Sequence, residues 1–110
     1  MQRALLVMKM KPSDAGEVAE IFADHDKTGL PEQIGAVRRT LFRYNGLYFH
    51  LVEAPDDLDG DLMRRIIDAR HHSLFADTSA RLKPLLEPIV PGWQSPYDSR
   101  AIEFYNWDIT

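Results

Sequence analysis

Val37 to Glu53 reads VRRTLFRYNGLYFHLVE, two runs rich in β-branched and aromatic residues flanking Asn45-Gly46. An Asn-Gly pair between such runs is the strongest short-range signal for a β-hairpin, because both residues tolerate the positive φ that tight hairpin turns require. A two-residue turn of type I′ pairs Tyr44 with Leu47, and the register follows. Arg43 then faces Tyr48, Phe42 faces Phe49, Leu41 faces His50 and Arg39 faces Val52. Cross-strand partners share a face, as do alternate residues along one strand. One face therefore carries Arg39, Leu41, Arg43, Tyr48, His50 and Val52. An imidazole, two guanidiniums and a phenol among apolar neighbours make that face the first place to look for chemistry.

The rest of the chain must build around this hairpin. Gln2 to Met10 alternates as a strand, apolar on both sides, which predicts a central position in a sheet. Pro12 ends it. Ser13 or Asp14 then caps a helix, with Glu17 completing a capping box on Asp14. Its apolar stripe runs through Ala15, Val18, Ala19 and Phe22, with Ile21 at the margin, and the same spacing brings His25 and Asp26 to the inward edge of the last turn. Gly29 and Pro31 mark its end. Acidic residues from Asp56 to Asp61 suit the start of a helix that reaches about His71. Ser73 starts another, with Leu74, Phe75 and Leu82 inward, and Pro84 limits it. The proline-bearing stretch Leu85–Arg100 reads as a long, partly ordered arm. Ala101 to Asp108 alternates again and predicts a final strand.

This order, strand–helix–strand–strand–helix–strand, predicts an α+β, ferredoxin-like βαββαβ antiparallel sheet with helices on one face. At 110 residues the chain forms a single domain, 1–110. The uncovered sheet face predicts a homodimer, because a large apolar face is not left in water. With no cysteine, disulfides, thiolate metal sites and a Cys nucleophile are excluded, and a reducing, cytoplasmic setting fits. A net charge of −4 argues against nucleic acid as a partner. No apolar run reaches the roughly 20 residues of a membrane span.

His50 in mid-strand is a candidate general acid/base, since imidazole titrates near neutral pH. Arg39 on the same face could stabilise an enolate or other oxyanion. The bland alternatives are a buried, hydrogen-bonded histidine and an arginine paired with Glu53 or an Asp. His25 and Asp26 form a candidate second proton-transfer group, with Asp26 orienting or charging the ring, although a histidine also suits a helix C-terminus for its charge alone. His71-His72 lacks metal-ligand spacing, and no other metal motif is present. No glycine-rich loop cradles a phosphate and no nucleophile elbow occurs. Tyr48, Tyr44, Trp93, Tyr105 and Trp107 read as core or interface, yet would equally suit a flat aromatic ligand.

His25 to Ala54 carries HDxTxLPxxIG, RRxLF and LYxHLxEA in turn, followed by ARHHSLF at 69–75 and SRAIEFYNW at 99–107. This set, over nearly the whole chain, resembles the tetracenomycin-type aromatic polyketide cyclases. Ala36 is a local spacing difference that touches no candidate group. The resemblance implies a ferredoxin-like homodimer of the dimeric α/β barrel type, with a C-terminal strand that can be exchanged between subunits. It implies a cavity for a partly cyclised aromatic polyketide and transient contact with polyketide synthase components. The implied reaction, in antibiotic or pigment biosynthesis, is a regiospecific late-ring aldol-type closure with dehydration and aromatisation, using no metal or nucleotide. Matched residue by residue, it assigns His25, Asp26, Arg39 and His50 to chemistry. Tyr48, Leu41, Phe22, His72 and Trp107 are expected around the substrate. Two other readings share the ligand: a cofactor-independent anthrone-type monooxygenase, and a non-catalytic polyketide-binding or chaperone-like subunit.

Overall fold

A computed structural model describes all 110 residues. Strand β1 (Gln2–Met10) leads through a 3₁₀ turn at Pro12–Asp14 into helix α1 (Ala15–Asp26). A one-turn helix α2 (Leu30–Gln33) precedes the hairpin of β2 (Arg38–Tyr44) and β3 (Leu47–Ala54). Helices α3 (Leu62–Ala69) and α4 (Ser73–Leu82) follow, then β4 (Leu86–Glu87) and a 3₁₀ turn at Pro96–Ser99. The four strands form one sheet in the order β2-β3-β1-β4, with every named pair antiparallel. This is the ferredoxin-like arrangement, with β1 and β3 at the centre. No helix is long and apolar enough to cross a membrane.

The hairpin register is the expected one at every pair, from Tyr44↔Leu47 to Arg39↔Val52. The turn differs in detail. Positive φ falls on Asn45, at 50°, and not on Gly46, which is the pattern of a II′ turn rather than I′. Both are two-residue turns, so the register is unaffected. Strand β1 adds to β3 with Ala4 opposite Val52, Leu6 opposite His50 and Met8 opposite Tyr48. Those residues share the inward face of the sheet.

All the major helices pack on that inward face. Leu62 and Ile66 of α3 join Ala4, Val52 and Ala54 in one core cluster. Val18 and Phe22 of α1 join Met10 and Tyr48 in a second, against which Leu82 of α4 packs. Leu6 and His50 lie between the two clusters along the central strands. The opposite sheet face carries Leu5, Val7, Phe49 and Leu51, half-buried, and Phe42, exposed, with no helix over it.

Two local expectations are corrected and one is extended. Asp14 makes no side-chain cap bond with α1. Pro12 instead starts a 3₁₀ turn that feeds the helix directly, leaving Asp14 in helical φ/ψ rather than the extended conformation that a cap residue needs. Helix α1 does end before Gly29 and Pro31, but the chain does not pass straight into a loop: Gly29 at φ 82° leads into α2, and Pro31 sits in its first turn, where its missing N–H costs nothing. Residues 101–110 form no strand. The edge of β1 is taken by Leu86–Glu87 opposite Met10 and Lys9, and by a single bridge from Leu6 to Arg100. Beyond the Ala101 N–H donated to the Leu5 carbonyl at 2.7 Å, the alternating segment extends away from the sheet. Glu103 is tied to Arg3 at 2.6 Å, but Phe104 and Trp107 are 96% and 70% exposed. The alternation in the sequence describes an amphipathic extended chain and leaves its pairing partner open.

Candidate active site

A cavity of about 710 Å³ opens between the inward sheet face and the helices. Its walls are mostly apolar: Leu6, Met8 and Val52 from the sheet, Ile66 from α3, Phe75 and Leu82 from α4. Lys83, Glu87 and Ser99 line it toward the C-terminal segment, and the remaining polar groups come from β2, β3, α1 and α4. Period-2 alternation puts Arg39 of β2, and Tyr48 and His50 of β3, on the inward face. Helix α1 contributes Phe22 and His25, which share one stripe, and α4 contributes Thr78.

His50 is 8% exposed, with its ring 4.8 Å from that of Phe22 and 6.0 Å from that of Tyr48. Its Nε2 accepts from a guanidinium N–H of Arg39 at 2.5 Å. Arginine has only donors, so the neutral ring must hold its proton on Nδ1. Nδ1 has no protein partner, and no fully buried side-chain nitrogen or oxygen lacks one, so Nδ1–H reaches the cavity. Burial first, then the Arg39 cation and His25, hold the His50 pKa well below its ordinary value. The ring is therefore neutral near pH 7.

Arg39 is the hub. Its Nε donates to the two carboxylate oxygens of Asp26 at 2.9 and 3.2 Å, and its guanidinium lies 4.8 Å from the centre of the Phe22 ring. The ion pair foreseen for Arg39 is thus with Asp26, while Arg38 faces Glu53 at 3.8 Å on the exposed edge. Of the two roles open to Asp26 toward His25, orienting the ring or acting on it by charge, only the charge acts: its hydrogen bonds go to Arg39, because the carboxylate at the end of α1 points across to β2. His25 turns to α4, where its Nδ1 lies 2.9 Å from the Thr78 hydroxyl. Burial and the Arg39 cation lower the pKa of His25, with Asp26 opposing more weakly. Burial likewise pushes the Tyr48 phenol above its usual range, against Arg39.

The structure thus gathers His25, Arg39, His50, Tyr48 and Phe22 around one cavity, with Asp26 behind Arg39. It does not bring the other candidates there. Leu41 packs against the apolar cluster of Met10, Val18, Phe22 and Tyr48. The His72 ring caps α4, with Nδ1 accepting the Leu74 N–H at 3.1 Å. Trp107 lies on the exposed terminal segment. Thr78 went unnoticed in the sequence, although it follows Leu74 and Phe75 at helical spacing. Trp93 is also a wall residue, held by its indole N–H to Ser99 Oγ at 2.7 Å.

A small α+β fold with a large, mostly apolar cavity, two neutral histidines and an arginine ion-paired to Asp26 has the makings of a small-molecule site that can support acid/base chemistry. Comparison with known proteins gives the family. The model of the polyketide synthesis cyclases matches residues 2–108, and the chain belongs to that family. It is 47% identical to tetracenomycin F2 cyclase of Streptomyces glaucescens over 105 residues, which cover 96% of this chain and 93% of the relative. It is 32% identical to the polyketide synthase CurG of Streptomyces cyaneus over 98% of each. The structure of the Streptomyces glaucescens cyclase, a type-II polyketide cyclase, superposes over the full length of both chains with a TM-score of 0.90. A Caulobacter crescentus protein named for antibiotic biosynthesis monooxygenase activity shares the fold over 76% of each chain, with a TM-score of 0.52 and 18% identity. The chain is thus a polyketide cyclase of this family, similar to tetracenomycin F2 cyclase.

Proposed function

We propose that this cyclase takes a partly cyclised aromatic polyketide into the cavity and closes a late ring by an intramolecular aldol-type condensation, then loses water and aromatises. The observation that carries this reading is the convergence of His25, Arg39 and His50 on one largely apolar cavity of about 710 Å³, a volume suited to a small-molecule substrate.

The chemistry asked of these groups is modest. Protons between two carbonyls are already acidic, so a strong base is unnecessary. The enol carbon adds to a ketone carbon, forming the new C–C bond, and the carbonyl π pair moves to oxygen, which takes up a proton. That hydroxyl then leaves with a proton from the neighbouring carbon, as one water, and the ring becomes aromatic. Arg39 stabilises the developing oxyanion. The His50 N–H that reaches the cavity donates to the same oxygen and relays the proton that ends on the departing water. His25 accepts protons in enolisation and dehydration. Asp26 offsets the charge of Arg39 and fixes its plane. Cavity shape, by folding the chain so that one carbon meets one carbonyl, supplies the remainder.

The enzyme is proposed to work as a homodimer. The uncovered sheet face of Leu5, Val7, Phe42, Phe49 and Leu51, and the unpaired terminal segment, support a second copy as the cover. Sedimentation of the purified chain tests this, and a monomer at micromolar concentration argues against it.

The decisive assay mixes purified protein and a chelator with a partly cyclised polyketide in degassed buffer, and follows product mass and ring pattern. Loss of one water with turnover and a single regioisomer is the expected result. Oxygen-dependent mass gain would favour a monooxygenase, and product yield limited to the amount of protein would favour a binding subunit. A folded His50→Asn variant should lose roughly 10²–10⁴ in rate if His50 is a true acid/base group; full rate in that variant rejects its assignment.

A further inference from the structure

We propose that Thr78 is a positioning residue that holds His25 with its Nδ1 protonated and its Nε2 lone pair facing the cavity. Resting on the cyclase reading above, this makes His25 the proton acceptor of the site and His50 the donor.

The argument starts from a count of protons. The Thr78 hydroxyl lies 2.9 Å from His25 Nδ1 and 3.1 Å from the Leu74 carbonyl oxygen. A hydroxyl has one proton to donate and two lone pairs that accept. The carbonyl oxygen of Leu74 can only accept. Both contacts are hydrogen bonds in one arrangement: Thr78 donates to Leu74, one helical turn back, and accepts from His25 Nδ1–H. Back-bonding of this kind is the ordinary habit of threonine within a helix. In the alternative the hydroxyl donates to an unprotonated Nδ1, and the Leu74 contact is left unbonded.

Nδ1–H on a neutral ring leaves Nε2 without a proton. Nε2 has no protein partner, and since no fully buried side-chain nitrogen or oxygen is left unpartnered, it lies at the cavity surface that His25 helps form. The ring is held on its other sides as well. Phe75 meets it edge-on with ring centres 6.2 Å apart, and the Asp24–Arg81 ion pair at 3.1 Å ties α1 to α4 beside it.

The two histidines thus bear their protons on the same ring nitrogen and present opposite faces. His50 has Nε2 occupied by Arg39 and turns Nδ1–H to the cavity. His25 has Nδ1–H occupied by Thr78 and turns a bare Nε2 to it. A condensation that removes a proton from carbon and delivers one to oxygen needs one group of each kind.

The test is ¹⁵N–¹H NMR of the full chain labelled at histidine nitrogens, at pH 7.5, which reads the tautomer of each ring without substrate. His25 of the wild type should carry its proton on Nδ1. Thr78→Val should shift it toward Nε2, and Thr78→Ser should restore it. Turnover should follow, falling about 10–100-fold in Thr78→Val, as for other orienting partners, chiefly in kcat and with recovery in Thr78→Ser. An Nε2–H tautomer in the wild type overturns the proposal, and needs no variant to fold. So does an unshifted tautomer in Thr78→Val, or unchanged turnover when the tautomer has moved. Absence of turnover in the wild type itself refutes the cyclase reading and with it the catalytic role of Thr78, while the tautomer measurement still decides the hydrogen bond.

Discussion

Lowering the pH from 7.5 to 5.2 should destabilise this protein mainly through His50. The ring is enclosed between β3, Phe22 and Arg39, and its pKa in the folded state lies well below the ordinary value of 6.5. The unfolded chain therefore binds a proton in this range that the folded chain does not. Stability from the neutral ring is fully present above about pH 6.5 and is lost as the pH falls below it, by about 1.4 kcal/mol per pH unit. That slope is the limit for one proton, so the loss over the interval to pH 5.2 is at most about 2 kcal/mol. A typical domain has only about 5–15 kcal/mol in total. The assay is urea unfolding followed by far-UV circular dichroism, in which a loss of this size moves the midpoint by about 1 M. His25 is shifted in the same direction by burial and Arg39, so it adds to the slope with the same sign. His50→Gln separates the two, because its amide oxygen can still accept from Arg39 while nothing titrates. Its midpoint should fall less than that of the wild type between the two pH values. Parallel curves for the two proteins would refute the reasoning, and so would a wild-type midpoint that does not move.

Three further outcomes are expected. Leu62→Ala removes a side chain that is 1% exposed in the cluster of Ala4, Val52, Ala54 and Ile66, and should cost about 2–5 kcal/mol in urea unfolding. Asp61→Ala deletes the carboxylate that accepts the Arg64 N–H at 2.9 Å at the start of α3, and should cost about 0.5–2 kcal/mol by the same measurement. Asp26→Asn removes the charge facing Arg39; because the carboxylate is 41% exposed, stability should change by less than about 1 kcal/mol, while turnover should fall with the loss of Arg39 alignment, so kinetics and unfolding measured together check both halves.

How far the sequence reaches depends on the range of the interaction. The hairpin was readable pair by pair, because a two-residue turn and a period of two determine which side chains share a face. Arg39, Tyr48 and His50 came together on that reasoning alone, and the stripe of α1 added Phe22 and His25. The chain order implied the ferredoxin-like topology. Capping was less legible: Asp14-x-x-Glu17 has the residues of a capping box, but Pro12 set a 3₁₀ turn that took Asp14 out of the cap conformation.

What the tertiary structure decided lies between elements that are distant in the chain. Asp26 and His25 are adjacent in α1, yet one is bonded to β2 and the other to α4, because neighbouring residues on a helix point about 100° apart and meet different elements. Thr78 had no signal until α4 was laid against α1. The last strand is the clearest case. Ala101 to Asp108 alternates well, but alternation describes only what the segment could bury, and the edge of β1 within this chain accepts Leu86–Glu87 and the bridge to Arg100 instead. Periodicity determines the faces of an element; which surface receives a face is settled only when the whole chain has packed.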